Sequence, residues 1–277
     1  MDPNSYQSYI FDCDGVLWKG LLEVPGSIQA LNYLQSLGKK VFFLTNSART
    51  KPDIASQLSS YGFAASYDQI HSAGTMLPLY INKFHPGLKN VFFIGLRGKE
   101  LLTDAGFNAL ESHEIPNNRI TSLQDLKDFR LQEVPDAVVV CHDIDFDYFT
   151  GLYASACIQE GAKFISANYD DYFILGDWKM ASCGTLCKYI EGATGQKAEV
   201  VGKPNSFIIE EIIEEHNLDR STCIMVGDTI DSDVLLAHNA HIDSMLVLTG
   251  VSKREDIEKY EYKPTFVFES LGSAFNL

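Results

Sequence analysis

The fold is decided by the stretch YIFDCDGVLW at residues 9–18, in which a short apolar strand ends at two aspartates and a glycine. Side chains two positions apart on a strand share a face, so Asp12 and Asp14 project together from its end. Two carboxylates this close repel each other unless a cation lies between them, and their oxygens suit Mg²⁺ better than Zn²⁺. The stretch therefore predicts a metal-dependent carboxylate site, although an Asp- and Gly-rich turn that closes a strand has the same composition.

Three other runs have the length and composition of buried strands: KVFFL at 40–44, CIMV at 223–226 and MLVL at 245–248. Continuous apolar runs are typical of parallel strands that are covered on both faces. Two of them lead directly into polar residues, at 45–47 and at 227–233. Ligands of open α/β sheets bind beyond the carboxyl ends of the strands. We therefore expect both polar segments to converge on Asp12 and Asp14.

Helical patterns separate these strands. Ser27 is predicted to cap a helix that Gly38 ends. A second helix is predicted to begin near Pro52, and Asn205 to cap a third. The alternation of strands and helices predicts the α/β class with a doubly wound parallel sheet.

Four segments resemble, in order, the signature segments of the haloacid dehalogenase superfamily of phosphatases. They are Asp12-Cys13-Asp14-Gly15, Thr45-Asn46, Gly202-Lys203-Pro204, and Gly227-Asp228 with Asp233. Residues 16–18, residues 45–47 and the position of a long insert resemble the branch that contains nitrophenyl phosphatase, phosphoglycolate phosphatase and pyridoxal phosphatase. The resemblance implies a Rossmann-like core that carries an inserted α/β cap domain.

This resemblance assigns the reaction to the aspartates. Asp12 would be the nucleophile that forms an aspartyl phosphate, and Asp14 would act first as general acid and then as general base. Mg²⁺ would be held by Asp12, the backbone carbonyl of Asp14, and Asp228. Asp233 would not bind the ion directly but would support the residues that do.

The phosphoryl oxygens, by the same resemblance, would be bound by Thr45, Asn46, Ser47 and Lys203. Positive charge is needed there because an anionic nucleophile approaches an anionic phosphate. Mg²⁺ and Lys203 would neutralise the charge that develops in the transition state.

The segment between the second and third signature segments is long enough to be a domain. It contains predicted strands at 90–95, 137–141 and 163–167 and predicted helices near 98–105 and 147–160. The polar stretch 111–133 is expected to be rich in loops. We predict a discontinuous catalytic core domain of residues 1–82 and 182–277 and a cap domain of residues 83–181, which by resemblance closes over the active site.

Composition excludes several classes of protein. The net charge of −15 at pH 7 argues against nucleic acid as a partner, because that binding needs a basic surface. No apolar run is long enough to span a bilayer, and residues 1–5 lack the features of a secretory signal. The six cysteines are widely spread, with poor spacing for zinc, and indicate reduced thiols. These features predict a cytoplasmic protein and leave a homodimer open, and the resemblance implies that its partner is a small phosphorylated metabolite.

The favoured function is Mg²⁺-dependent hydrolysis of small phosphate monoesters. The substrate classes are p-nitrophenyl phosphate, phosphoglycolate, glycerol phosphate, sugar phosphates, nucleotides and pyridoxal phosphate. The alternative is a catalytically silent relative that binds a metabolite or a partner, since a fold alone does not fix function. The acidic loop at 143–147 departs from the pattern of the branch. If one of its aspartates faces the cleft, we expect esters that carry a carboxylate to be poorer substrates.

Overall fold

The computed structural model describes residues 2–116, 120–175 and 178–277. By their contacts the residues form two compact units. The first consists of Met1–Thr45, Thr50–Ser72 and Lys203–Leu277, and the second of Asn46–Arg49 and Ala73–Gly202. The helices that begin at Ala73 and Cys183 both belong to the second unit. The domain limits expected at residues 83 and 181 stay a prediction.

The strands of the described residues follow one another in this order: β1 Ser8–Asp12, β2 Trp18–Lys19, β3 Leu22–Glu23, β4 Lys40–Thr45, β5 Ile70–Ser72, β6 Asn90–Ile94, β7 Asn108–Leu110, β8 Ala137–Val140, β9 Lys163–Ser166, β10 Tyr172–Leu175, β11 Trp178–Ala181, β12 Glu199–Val200, β13 Cys223–Gly227, β14 Asp243–Val247 and β15 Phe266–Phe268. The α-helices are α1 Ser27–Ser36, α2 Lys51–Ser60, α3 Ala73–Phe84, α4 Lys99–Asp104, α5 Leu123–Asp128, α6 Tyr148–Gln159, α7 Cys183–Thr194, α8 Phe207–Glu215, α9 Leu235–Asn239 and α10 Leu271–Ala274. None of the helices in the described part of the chain is long and apolar enough to cross a membrane.

The first unit is built on a parallel sheet with the strand order β15-β14-β13-β1-β4-β5. From β1 the chain runs outward through β4 to β5, and on its return it runs from β13 to β15 on the other side. The direction of winding therefore reverses between β1 and β13, which is the topological switch point where such sheets bind ligands. This arrangement confirms the predicted α/β class and doubly wound parallel sheet.

The central strands of this sheet are apolar because both of their faces are covered. Residues 8–12 of β1 are all buried, and Tyr9, Phe11 and Phe43 belong to one core cluster with Leu31 of α1 and Leu58 of α2. Burying a side chain of this size contributes about 1.5–3 kcal/mol. The apolar runs that predicted β1, β4, β13 and β14 therefore reflect burial directly.

The second unit has its own parallel sheet, with the strand order β12-β9-β8-β6-β7. Side chains of α6 and α7 pack on it, and the core includes Phe92, Val138, Phe149 and Cys187. An antiparallel hairpin of β10 and β11 lies outside this sheet. The predicted strands and helices of the insert are confirmed to within a residue or two at each end. The polar stretch 111–133 contains α5 and a 3₁₀ turn at Ser112–Glu114, while residues 117–119 lie outside the described part of the chain.

Two predicted helix caps are wrong. The N-cap of α1 is Gly26, which has a φ of 85°, and Ser27 is the first helical residue. The hydroxyl of Ser27 instead donates a 3.0 Å hydrogen bond to the carbonyl of Leu17. The N-cap of α8 is Ser206 and not Asn205, but Asn205 Oδ1 accepts a 3.0 Å bond from the amide of Phe207 at the start of this helix.

Candidate active site

Asp12 and Asp228 lie at the carboxyl ends of two adjacent parallel strands. Asp12 is the last residue of β1, and Asp228 directly follows β13. Because Phe11 pairs with Val226, the two aspartates leave the sheet within one residue of each other in register. Both are buried, with exposed fractions of 6% and 2%. The switch point of the sheet therefore carries two buried carboxylates.

Lys203 is buried between two carboxylates. Its Nζ donates to Asp12 Oδ1 at 2.6 Å and to Asp233 Oδ1 at 2.7 Å. Burial alone lowers the pKa of Lys203, but the two carboxylates raise it by more and hold it well above its ordinary value. The ammonium group is therefore charged, and it stabilises the carboxylates that it touches.

One ammonium does not neutralise three carboxylates, and burial together with this excess of negative charge raises the pKa values of two of the aspartates. Burial raises the pKa of Asp12 well above its ordinary value; Lys203 acts against this rise, and Asp233 and Asp228 add to it. Burial, followed by the charge of Asp233, raises the pKa of Asp228 to about 6. A cation near these groups favours their charged forms.

Asp233 braces the backbone of the site. It lies in a π-helical turn at Ile230–Val234 and is fully buried. Its Oδ2 accepts hydrogen bonds from the amides of Asp228 and Thr229 at 3.1 and 3.0 Å. One carboxylate thus fixes the position of both Lys203 and the start of the loop after β13.

Two glycines give the Asp228 carboxylate its space. A Cβ on Gly250 would lie 1.6 Å from Asp228 Oδ2, and a Cβ on Gly15 would lie 2.3 Å from the same atom. The amide of Val251 donates a 2.7 Å bond to this oxygen, and the hydroxyl of Thr229 donates a 2.9 Å bond to Oδ1. The close approach of backbone to carboxylate requires glycine at both positions.

The donor set fits a hard divalent cation. Asp12, Asp228 and Asp233 each offer one carboxylate oxygen, and these atoms all lie within 4.8 Å of one another. Carboxylate oxygens are the ligands that Mg²⁺ prefers. The excess of negative charge in this buried cluster also indicates a bound cation, whatever the chemical type of the ligands.

Asp14 lies in the turn after β1. Its side chain is exposed, and its Oδ1 accepts a 3.0 Å hydrogen bond from Trp18 Nε1. The turn is closed by the amide of Gly15, which donates to the carbonyl of Trp18 at 2.6 Å. Asp14 is therefore more accessible than the buried carboxylates.

The predicted phosphate-binding residues fall in two places. Thr45 is the last residue of β4 and is buried. Since Asp12 pairs with Leu44, Thr45 ends one residue beyond it on the neighbouring strand. Asn46 and Ser47 belong by their contacts to the second unit.

Two residues of the second unit hold Asn46. Asp170 Oδ1 accepts a 3.0 Å bond from Asn46 Nδ2, and Asn168 Nδ2 donates a 2.7 Å bond to the Asn46 carbonyl. The acidic loop also has local structure. Asp147 caps α6 by accepting from the amide and hydroxyl of Thr150, both at 2.8 Å, and Asp143 accepts from the amide of Asp145 at 2.9 Å.

The sequence analysis missed the loop after β14. Besides Gly250 and Val251, Thr249 donates a 2.6 Å bond to the carbonyl of Gly15, and the Ser252 amide donates to the carbonyl of Asp228 at 3.0 Å. The apolar run at 245–248 was the one run to which no polar ending was assigned. Its continuation, Thr249-Gly250, is the signal that could have placed this loop at the site.

The geometry agrees with the comparisons to known proteins. The family model described as haloacid dehalogenase-like hydrolase matches residues 9–108, and the one described as HAD-hydrolase-like matches residues 200–274. Both matched ranges include residues of the first unit's sheet.

Three relatives align along nearly the whole chain. Phosphoglycolate phosphatase 2 of Arabidopsis thaliana is 33% identical over 266 residues, which covers 92% of this chain and 86% of that protein. An acid sugar phosphatase of Staphylococcus saprophyticus is 31% identical and covers 97% of this chain and 96% of that protein. The solved structure of a p-nitrophenyl phosphatase from Archaeoglobus fulgidus superposes with a TM-score of 0.83 at 28% identity, covering 99% of this chain and all of that one.

Proposed function

The chain belongs to the haloacid dehalogenase-like hydrolases, and we propose that it hydrolyses small-molecule phosphate monoesters through a covalent intermediate on Asp12, with Mg²⁺ as cofactor. Its relatives are phosphatases with different substrates in their names. The observation that carries the proposal is the buried cluster of Asp12, Lys203, Asp228 and Asp233 at the switch point of the sheet.

In the first step Asp12 attacks phosphorus. A bond forms between an Asp12 carboxylate oxygen and phosphorus while the bond from phosphorus to the ester oxygen breaks. Asp14 gives its proton to the departing oxygen. The exposed position of Asp14, beside the buried nucleophile in sequence, suits a group that must reach a leaving group and later a water.

In the second step water hydrolyses the aspartyl phosphate. Asp14, now ionised, takes a proton from the attacking water, and the bond between Asp12 and phosphorus breaks. Inorganic phosphate leaves, and both aspartates return to their starting protonation states. Each proton that Asp14 gives in the first step is thus recovered in the second.

Charge neutralisation is the main task of the remaining residues. Lys203 Nζ lies 2.6 Å from Asp12 Oδ1. This short distance supports the proposal that Lys203 also contacts the phosphoryl group that Asp12 accepts. Asp12, Asp228 and the Asp14 carbonyl would hold Mg²⁺, which when bound supplies positive charge to the phosphoryl oxygens. Asp233 keeps Lys203 and the Asp228 backbone in place.

Thr45, Asn46 and Ser47 complete the proposed phosphate site. Hydroxyl and amide groups that follow a strand of the sheet donate hydrogen bonds to phosphoryl oxygens without adding negative charge. The division into a core domain of residues 1–82 and 182–277 and a cap domain of residues 83–181 is proposed in the same way. We also propose a cytoplasmic location, which the presence of six buried cysteines that form no disulfide supports.

A substrate screen tests this function. Purified protein with Mg²⁺ is assayed for phosphate release from phosphoglycolate, glycerol phosphate, a sugar phosphate, a nucleoside monophosphate, pyridoxal phosphate and p-nitrophenyl phosphate. We expect turnover of p-nitrophenyl phosphate and of at least one metabolite. A folded protein that binds a metabolite from this panel but releases no phosphate from any of them would establish the catalytically silent alternative.

A further inference from the structure

We propose that His71, Glu215 and His216 form a second metal site in the first unit, which takes a divalent transition-metal ion of the Zn²⁺ class. Each residue offers one ligand atom, and these atoms all lie within 4.8 Å of one another. Two imidazoles and a carboxylate are a ligand set typical of zinc, with room for a further ligand from solvent. The site differs in chemistry from the all-carboxylate cluster at Asp12.

The buried side chain of His71 is the strongest indication of this metal site. It lies in β5 with an exposed fraction of 0%, and neither of its ring nitrogens has a close hydrogen-bond partner among the described residues, although the backbone of Asp68 also acts on the ring. A buried polar group that lacks a partner costs about 1–3 kcal/mol. A metal ion bound through one nitrogen would satisfy that nitrogen, so the unpartnered ring marks a binding position.

His216 is oriented by a backbone carbonyl. It follows α8 directly, and its Nε2 lies 3.0 Å from the carbonyl oxygen of Asp68. When Nε2 donates this bond, Nδ1 carries the lone pair. A hydrogen bond from one ring nitrogen to a carbonyl, with the other nitrogen on the metal, is the usual arrangement of metal-bound histidine.

Glu215 supplies a negative charge and a side chain that can move to reach the metal ion. It is the last residue of α8, and its side chain is exposed. Ligand atoms on a tetrahedral zinc with bonds of about 2.0–2.2 Å are about 3.4 Å apart. The partly exposed His216 and the exposed Glu215 can close the remaining distance, whereas His71 is held in the sheet.

The site is reached from solvent and is separate from the reaction centre. A cavity of about 370 Å³ is lined by Asp68, Phe42 and, of the three proposed ligands, His216, and the side chain of Glu215 is itself exposed. Asp12 pairs with Leu44, which in turn pairs with His71. The Cα atoms of Asp12 and His71 are therefore two strands, or about 10 Å, apart.

A metal ion here would join two distant parts of the first unit. His71 lies just before the chain enters the second unit, and Glu215 and His216 lie just after it returns. An ion that binds only the folded state raises stability by mass action. We therefore assign the site a stabilising role that does not depend on the phosphatase chemistry.

Zinc binding to the full chain tests this inference. The chelator-treated protein carries Asp228→Asn, which weakens the carboxylate cluster, and is titrated with Zn²⁺ in excess Mg²⁺ against a chromophoric zinc chelator. We expect one zinc per chain, affinity at least tenfold weaker when His216→Gln or Glu215→Gln is added, and a zinc-dependent rise in Tm that both substitutions reduce. His238→Gln is the matched control, because this histidine is exposed on α9, and it should change neither quantity.

A spectroscopic readout identifies the ligands directly. In long-range ¹H–¹⁵N spectra, zinc should shift the ring nitrogens of His71 and His216 and leave those of His238 in place. Equal zinc affinity in the parent and in the His216→Gln and Glu215→Gln variants would overturn the site. So would the loss of zinc with His113→Gln, which alters another histidine-containing cluster, at Glu111, His113 and Glu114.

Discussion

Trp18 Nε1 donates a 3.0 Å hydrogen bond to Asp14 Oδ1. The two partners differ in their surroundings, since Asp14 is exposed and Trp18 is buried with an exposed fraction of 1%. The indole is held by β2 and by the ring of Tyr61, whose centroid lies 6.1 Å away. A buried aromatic donor thus helps to orient an exposed carboxylate.

Replacement of Trp18 by Phe should therefore impair leaving-group protonation. Phe keeps an apolar ring but lacks the N–H donor, so Asp14 loses the hydrogen bond that helps to orient it. We expect kcat/KM for glycerol phosphate to fall about tenfold and kcat/KM for p-nitrophenyl phosphate to fall much less, because nitrophenolate leaves without a proton. An equal loss for both substrates would indicate a packing defect instead. Tyr61→Phe, which keeps the neighbouring ring, is the control and should leave the ratio unchanged.

The role of Asp12 gives a second prediction. Asp12→Asn should abolish phosphate release, since an amide neither attacks phosphorus nor supplies the charge of a metal ligand. In the wild type, EDTA should abolish activity and Mg²⁺ should restore it. Circular dichroism checks that the variant is folded. Turnover by a correctly folded Asp12→Asn protein would rule out the proposed nucleophile.

Gly250 gives a third prediction that separates metal binding from folding. The Cβ of Gly250→Ala would lie 1.6 Å from Asp228 Oδ2, so the carboxylate must move. We expect the Mg²⁺ concentration for half-maximal activity to rise about 10–100-fold, as when the supports of a metal ligand are lost.

Gly192→Ala is the matched control for Gly250. Gly192 lies in α7, and a Cβ there would meet nothing within 4 Å. This variant should gain about 0.5–1 kcal/mol of stability from helix propensity and show the wild-type Mg²⁺ dependence. A Gly250→Ala enzyme with unchanged Mg²⁺ dependence would contradict a metal-binding role for Asp228.

The sequence could predict the carboxylate cluster because each member follows a recognisable strand. The apolar runs before Asp12 and Asp228 are buried on both faces, and parallel strands bring their carboxyl ends to one edge. Asp233 lies in the polar segment that follows the second of these runs, and the resemblance to known phosphatases added Lys203, which no strand pattern marks. The residues predicted from strand patterns depend on short local stretches of sequence. The residue added by the resemblance depends on the order of the motifs along the chain.

The structure added what depends on contacts between distant segments. The ring of His71 lies 5.9 Å from the ring of His216, which follows α8, and a single histidine in a sequence carries no sign of this. The bond between Trp18 and Asp14 depends on how one turn closes. Ser27 was predicted as a cap because serine is typical there, but Gly26 took that position and the hydroxyl bonded to Leu17 instead.

The last prediction concerns the stability of the second unit and its dependence on pH. Burial acts to raise the pKa of Glu191, but hydrogen bonds from Lys197, Tyr169 and the Ala198 amide lower it by more, and the net pKa lies below its ordinary value of 4.5. The bonds from Tyr169 and Lys197 measure 2.7 and 2.5 Å. A lowered carboxyl pKa contributes stability above pH 4.5, and this contribution is lost as pH falls through the lower value in the folded state.

Glu191→Gln removes the charge and keeps the shape of this buried side chain. The free energy of unfolding at pH 7 should fall by about 1–3 kcal/mol, as expected when hydrogen bonds to a charged group are lost. The difference between wild type and variant should shrink as pH is lowered below 4.5, because the wild-type carboxylate then becomes protonated. Urea unfolding at pH 7 and at pH 4 and below measures this difference, and Glu160→Gln, an exposed residue that follows α6, is the control. A difference that stays constant with pH would show that the ionised form of Glu191 is not what stabilises the second unit.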